Sequence, residues 1–303
     1  MRRMELSAKS LEGIIPAIPT PFTRNDEVDE DGLRKLVNHV VRNGVHGIMT
    51  TGGNGEFPHL LADERKRVVE VVVDELSSKV PVIACTAACG TKETIEYTAH
   101  AKDSGAQAAI ITPPYYFNVP RQSVYEHYKT VSGAVDLPIV VYNNPEYTGN
   151  NIDPALMAKI SHLNNVIGLK QSNYDISQTL EIIRLVSGKI SVLTGIDSQL
   201  FSTLSIGGRG VFSTAAAVIP RQIVQIYEAF KSGDVNKAYE NQLKIQILNR
   251  FFEYDPGYVA PCKEALTMIG LPGGLPRKPL PSLTAEERTA LWKALKDLGL
   301  LHG

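Results

Sequence analysis

Residues 138–172 read PIVVYNNPEYTGNNIDPALMAKISHLNNVIGLKQS. Two short apolar runs, PIVVYNN (138–144) and VIGLKQS (166–172), enclose a segment in which Asp153-Pro154 marks a helix start. Aspartate is a good N-cap, and proline suits the first helical position. The runs are near-continuously apolar rather than alternating, as expected of parallel strands buried on both faces. The same beat extends in both directions, through GIIPAIPTPF (13–22), GIMTTG (47–52), PVIACT (81–86) and AAIITPP (108–114), then SVLTGID (191–197) and GVFSTAAA (210–217). Each of the first seven runs is followed by a candidate helix. Residues 31–43 place Leu33, Leu36, Val37, Val40 and Val41 on one face at helical spacing. Gly44 and Gly105 stand where a left-handed residue would close a helix.

Eight strands in alternation with helices predict an α/β fold, a (β/α)8 TIM barrel. A doubly wound open sheet is the competing reading. It calls for a Gly-rich phosphate turn after the first strand, and PTPFTRND is no such turn. After Pro220 the strand pattern stops and four helical stretches follow, the last near 284–299 with Thr284 and Glu287 spaced as a capping box. The expected division is a barrel over 1–220 and a C-terminal helical domain over 221–303.

Composition narrows the function. In 303 residues, 31 Lys+Arg face 32 Asp+Glu, leaving a net charge of −1 that argues against an electrostatic nucleic-acid binder. The three cysteines, Cys85, Cys89 and Cys262, are an odd set without a CxxC pair, so a reducing compartment is expected and Cys85 and Cys89 read as buried inert thiols. No apolar stretch approaches a membrane span, and MRRMELSAKSLEG lacks the apolar segment of a signal peptide. These features predict a cytoplasmic globular protein. The seven histidines show no zinc-ligand spacing, and dinucleotide, NTP and serine-hydrolase motifs are missing.

Active sites of such barrels lie at the C-terminal strand ends. That rule points to the Gly52-Gly53-Asn54-Gly55-Glu56 loop, to Tyr115-Tyr116, to Tyr142 with Asn143 and Asn144, and to Lys170, Asp197 and Phe212. Lys170 sits among apolar strand neighbours. A desolvated ammonium there should lose its proton more readily and become a nucleophile towards carbonyl carbon. Gly168, on the same face, would leave open space beside the amine. The other reading is a strand-end lysine that carries its charge out to solvent. Tyr142 is either a proton relay for such an amine or an ordinary half-buried tyrosine. The glycine loop either presents N–H groups to a carboxylate or is a plain turn. Glu56 is expected to cap the next segment rather than do chemistry.

GGNGEF, TPPYY, YNNPEYTG and GLKQS, in this order, resemble the dihydrodipicolinate synthase/N-acetylneuraminate lyase family. The similarity runs from about Gly13 to the last helix. Tyr142 and Lys170 stand 28 residues apart, and Tyr116 and Tyr142 stand 26 apart, as the family pattern has them. The resemblance implies a class I, pyruvate-dependent aldolase on a barrel with a C-terminal helical domain, assembled as a homotetramer. It implies that Lys170 forms the Schiff base and that Tyr142 shuttles protons. Amides of the loop around Gly53 and Asn54 would hold the pyruvate carboxylate. Tyr116 would help the relay from near a subunit interface, while Asp197 and the Phe212 carbonyl would face the substrate. No metal or organic cofactor is implied beyond the covalent imine.

Three departures bear on substrate. The family loop carries two hydroxyl residues where this chain has Gly53 and Asn54, and synthase members carry an arginine where this chain has Tyr147. A tyrosine there does not make the bidentate contact that an arginine gives a carboxylate. Sialic acid lyases have GxDE where this chain has Gly195-Ile196-Asp197-Ser198. The expectation is therefore a lyase that reversibly cleaves a 2-oxo-3-deoxy sugar acid to pyruvate and an aldehyde, like 2-keto-3-deoxygluconate aldolases. Its rivals are a 2-oxo acid dehydratase or deaminase of the same family, a dihydrodipicolinate synthase-like enzyme, and a non-catalytic sensor of pyruvate-type ligands.

Overall fold

A computed structural model describes residues 5–77, 79–253 and 257–301. Its strands are β1 (Gly13–Pro16), β2 (Ile48–Thr50), β3 (Val82–Cys85), β4 (Ala108–Ile111), β5 (Ile139–Asn143), β6 (Val166–Gln171), β7 (Ser191–Thr194) and β8 (Gly210–Ser213). Each lies inside one of the eight apolar runs. The sheet order is β1-β8-β7-β6-β5-β4-β3-β2, so from β2 to β8 each strand lies beside the next in the chain, and β8 lies beside β1. The fold is the expected (β/α)8 TIM barrel with C-terminal helices. Of all strand residues only Ile167 is not buried, which explains why the runs show no alternation. The strands stop short of the runs because residues such as Pro113 and Pro114 cannot donate to a ladder. Those leftover residues form the loops where side chains of chemical interest collect.

The chain divides into two compact units, one within Met1–Gly13 and Pro81–Phe212, the other within Ile14–Val80 and Ser213–Gly303. In the first unit β3 to β7 pair in parallel, neighbour to neighbour. The β5–β6 ladder carries one irregularity. Ile139 stands opposite Val166, but Val140 stands opposite Gly168, so Ile167 is an extra residue. From there on, Tyr142 is paired with Lys170 and Asn143 with Gln171. Continued residue for residue from Ile139–Val166 with no bulge, the ladder would instead set Tyr142 opposite Leu169. Helix Pro154–Ile160 starts as read, with the Asp153 carboxylate accepting from Leu156 N–H at 3.0 Å and Pro154 in the first turn.

In the second unit, helix Glu30–Arg42 buries Leu33, Leu36, Val37 and Val40, with Val41 half-buried at the edge of the stripe. Ala17 bridges Met49 in parallel, and Ile18 N–H donates to Met49 O at 2.9 Å. The four C-terminal helices are Pro220–Lys231, Val235–Phe252, Val259–Met268 and Ala285–Asp297. The last opens with the expected capping box between Thr284 and Glu287. Gly44 and Gly105 have φ of 84° and 100°, as left-handed residues at helix ends. No helix among the described residues is long and apolar enough to cross a membrane.

Candidate active site

Lys170, on β6, is 5% exposed, and its direct neighbour Tyr142 on β5 is 4% exposed. The lysine Nζ lies 4.1 Å from the centroid of the Tyr142 ring and 5.7 Å from that of Phe212, which is buried on β8. Two aromatic faces thus surround the amine, and their quadrupoles offset part of the cost of burying a cation. The Tyr142 hydroxyl accepts from Asn144 Nδ2 at 3.1 Å. Burial sets aside the reading of a lysine that carries its charge to solvent.

The space around the lysine comes from a different glycine than expected. A Cβ at Gly168 would collide with Leu11, whose side chain is buried there, and would stand 3.1 Å from Ser191 O. An N-terminal residue fills the gap that strand alternation suggested. Gly195, just after β7, is the residue that yields room. A Cβ there would run into Ser172 Oγ and reach Lys170 Cε at 2.6 Å and Cγ at 3.1 Å.

Asp197 is 3% exposed and opens the turn Asp197–Gln199. Tyr116 and Tyr147 lie differently. Tyr116 is 85% exposed with a left-handed φ of 78°, and its ring meets Phe117 edge to face at 4.8 Å. A bulky residue at positive φ is uncommon and marks a constrained loop. Tyr147 is exposed on the short helical turn Pro145–Thr148. Two asparagines hold these loops, Asn143, already singled out at the end of its apolar run, and Asn150, which the sequence did not single out. Asn150 Nδ2 donates to Pro114 O and Phe117 O at 2.8 and 3.0 Å, while its Oδ1 accepts from Val119 N–H at 3.0 Å. Asn143 Nδ2 donates to Gln171 Oε1 and Asn151 Oδ1, both at 2.9 Å, and its Oδ1 accepts from Ile152 N–H. For Asn150 the only signal was an Asn-Asn pair, one of three in the chain at 143–144, 150–151 and 164–165.

The Gly52–Glu56 loop belongs to the other unit. Glu56 is 1% exposed and left-handed, with φ of 59°. It does not cap the segment after it with its side chain. Its carboxylate is ion-paired with Lys263, both side chains being fully buried, and Oε2 accepts from Arg277 N–H at 2.7 Å. Lys263 also donates to Leu275 O at 2.9 Å, and the Phe22 ring lies 4.2 Å from its Nζ. Burial pushes the Lys263 ammonium below the ordinary lysine range, against the pull of Glu56. Asn54 Nδ2 donates to Ala17 O at 2.6 Å and approaches Cys262 Sγ at 3.4 Å. The asparagine side chain is thus spent on the fold. Its buried Oδ1 has no donor among the described residues. Beside Gly53, the Tyr258 phenol occupies the place a Cβ would take.

Cys85 and Cys262 are buried free thiols, but Cys89 is exposed, because it lies beyond the end of β3 in the loop before Thr91. No group of three or more metal-ligating side chains occurs among the described residues.

The model of the dihydrodipicolinate synthetase family matches residues 10–298. A 4-hydroxy-tetrahydrodipicolinate synthase of Methanopyrus kandleri is 37% identical over 295 residues, covering 96% of this chain and 97% of that protein. Among solved structures, dihydrodipicolinate synthase from Aquifex aeolicus superposes with a TM-score of 0.91 at 34% identity, covering 96% of this chain and 99% of that one. A prophage protein of the dihydrodipicolinic acid synthase family from E. coli K12, YagE, was solved in complex with pyruvate. It superposes with a TM-score of 0.92 at 31% identity, covering 96% and 99%.

Proposed function

The chain belongs to the dihydrodipicolinate synthetase family, class I pyruvate-dependent aldolases of the lyase class, and on that premise we propose that it joins or splits a carbon–carbon bond through an imine on Lys170. The observation that carries this reading is the buried Lys170 in register with Tyr142, its Nζ against the tyrosine ring. The amine, when neutral, attacks the C2 ketone of a 2-oxo acid. Tyr142 passes a proton to the departing hydroxyl as water leaves, which yields the imine. In its protonated form the imine draws electrons from C3, so a C3–C4 bond can break or form there, and it needs no metal or organic cofactor to do so. The Gly53 and Asn54 amides hold the carboxylate, a role that rests on the loop's likeness to the family motif.

For the second substrate, the names of the relatives support a dihydrodipicolinate synthase-like condensation of pyruvate with aspartate semialdehyde better than they support sugar-acid cleavage. A second reading, cleavage of a 2-oxo-3-deoxy sugar acid, keeps its support from Tyr147 and from the loop pair Gly53-Asn54. We further propose a cytoplasmic homotetramer with Tyr116 near an interface. The exposed pair Tyr116–Phe117 supports that assembly, and light scattering would read it.

The test is borohydride trapping with pyruvate, followed by peptide mapping, then turnover with each second substrate. A pyruvyl adduct confined to Lys170, lost in Lys170→Ala with the fold intact, is the expected result. Turnover surviving Lys170→Ala would overturn the mechanism. Faster turnover of pyruvate with aspartate semialdehyde than of 2-oxo-3-deoxygluconate selects the synthase reading, and the reverse order selects the second.

A further inference from the structure

We infer that Gln171, through its side-chain bond to Asn143, is the positioning residue that keys Tyr142 to Lys170. The inference deepens the proposed function and rests on its assignment of the imine to Lys170 and of the proton relay to Tyr142. Side chains alternate along a strand, so those of Asn143 and Gln171 leave the face that carries Tyr142 and Lys170. They stand opposite each other one step further along β5 and β6, and both are 0% exposed. Asn143 Nδ2 donates to Gln171 Oε1 at 2.9 Å, and the Ser172 N–H donates to Asn143 O at 2.8 Å at the same end of the ladder.

The orientation of the two amides is forced. The Ile152 N–H can only donate, at 2.9 Å, so the atom of Asn143 that faces it is Oδ1. Asn143 therefore turns Nδ2 towards β6, and Gln171 must answer with Oε1. Gln171 Nε2 is then left buried, with no acceptor among the described residues. A buried amide with an unmet donor is destabilising, and an apolar side chain of the same shape would avoid that loss. Stability therefore does not account for a glutamine here. Register does. Both faces of β5 and β6 are buried and apolar, so sliding one strand by a residue exchanges one apolar set for another. Continued residue for residue from Ile139–Val166, the ladder would set Asn143 opposite Lys170 and leave Gln171 on the other face of the sheet. The bond between the two amides forms only in the offset that pairs Tyr142 with Lys170.

The test compares Gln171→Met with Gln171→Glu in borohydride trapping by pyruvate, in turnover and in thermal melts. Methionine keeps the length of the side chain and removes both amide atoms, while Asn143 Nδ2 keeps Asn151 Oδ1 at 2.9 Å. Its melt should match or exceed that of the wild type. Trapping and kcat should fall about ten- to a hundredfold, as expected of a small displacement between reacting groups, with the KM for pyruvate changed far less. Glutamate keeps an acceptor for Asn143 but buries a carboxylate, so its melt should fall while trapping returns close to the wild-type rate. Activity and stability thus move in opposite directions in the two variants, which a residue that only packs would not produce. Trapping in Gln171→Met at the wild-type rate, or activity following the melt in both variants, overturns the inference. Failure of the wild type to form an adduct on Lys170 would overturn the imine reading alone. The positioning role is then read by hydrogen exchange at 139–143 and 166–171, which should quicken in Gln171→Met but not in Gln171→Glu, and equal exchange in the two overturns it.

Discussion

Replacing Lys263 by methionine isolates the ion pair that anchors the glycine loop. The substitution keeps the length and most of the volume of the side chain and removes its charge. Both partners are fully buried, so solvent cannot replace the lost ammonium. Glu56 would keep only the Arg277 N–H at 2.7 Å, and Leu275 O would lose a donor at 2.9 Å. Removing one member of a buried pair costs about 3–5 kcal/mol, because the other charge stays buried without compensation. With an unfolding entropy of about 2.1 cal/mol/K per residue, that cost lowers Tm by about 5–8 °C for a chain of this length. Urea unfolding followed by circular dichroism, with thermal melts alongside, measures both quantities. The pair also makes a second prediction. Glu56→Gln combined with Lys263→Met removes both charges, so it should be more stable than Lys263→Met alone. A loss below about 1 kcal/mol in the single variant, or simple additivity in the double, would refute the reasoning.

Burial alone holds His127 at a pKa of about 4, below its ordinary 6.5. Between those values the unfolded chain binds the extra proton, so stability should fall as pH drops from about 6.5 to 4. The loss approaches about 3 kcal/mol, and His127→Gln should flatten the pH dependence of the urea midpoint. Gly195→Ala should slow borohydride trapping on Lys170 at least about tenfold while leaving the fold intact, since its Cβ pushes on the lysine stem. Gly168→Ala should do the opposite, lowering the urea midpoint through its clash with Leu11. Equal trapping rates in the two variants would remove Gly195 from the site. Asp153→Ala should cost about 1 kcal/mol in urea unfolding by leaving the Leu156 N–H without its cap.

The strands were legible because burial on both faces leaves a local mark, an unbroken run of Ile and Val that any short window detects. The caps at Asp153, Thr284, Gly44 and Gly105 were legible for the same reason, since each satisfies or turns its own backbone. Lys170 and Tyr142 stood out as polar residues inside or just beyond such runs. What local reading could not reach was pairing at a distance. Leu11 fills the space over Gly168, more than 150 residues away in the chain. Lys263 lies inside VAPCKEALTMIG, where its charge is indistinguishable from an exposed helical lysine until Glu56 is seen against it. Gly53 read as a departure that spoke only of substrate. In the structure the Tyr258 phenol also occupies the place a Cβ there would take.

The single extra residue at Ile167 has a further consequence for anyone recombining members of this fold. It makes β5 and β6 an indivisible cassette. A chimera whose crossover falls between Asn143 and Val166 inherits its tyrosine from one parent and its strand offset from the other. If the second parent lacks the extra residue, Tyr142 and Lys170 can stay paired only if the spacing before Val166 adjusts, so the mismatch falls on the Ile139–Val166 end of the ladder while every apolar run still reads correctly. Libraries built by shuffling should therefore place their breakpoints before Ile139 or after Gln171, and a one-residue insertion between Gly168 and Leu169, which moves Lys170 off Tyr142, would serve as the inactive reference in such a screen.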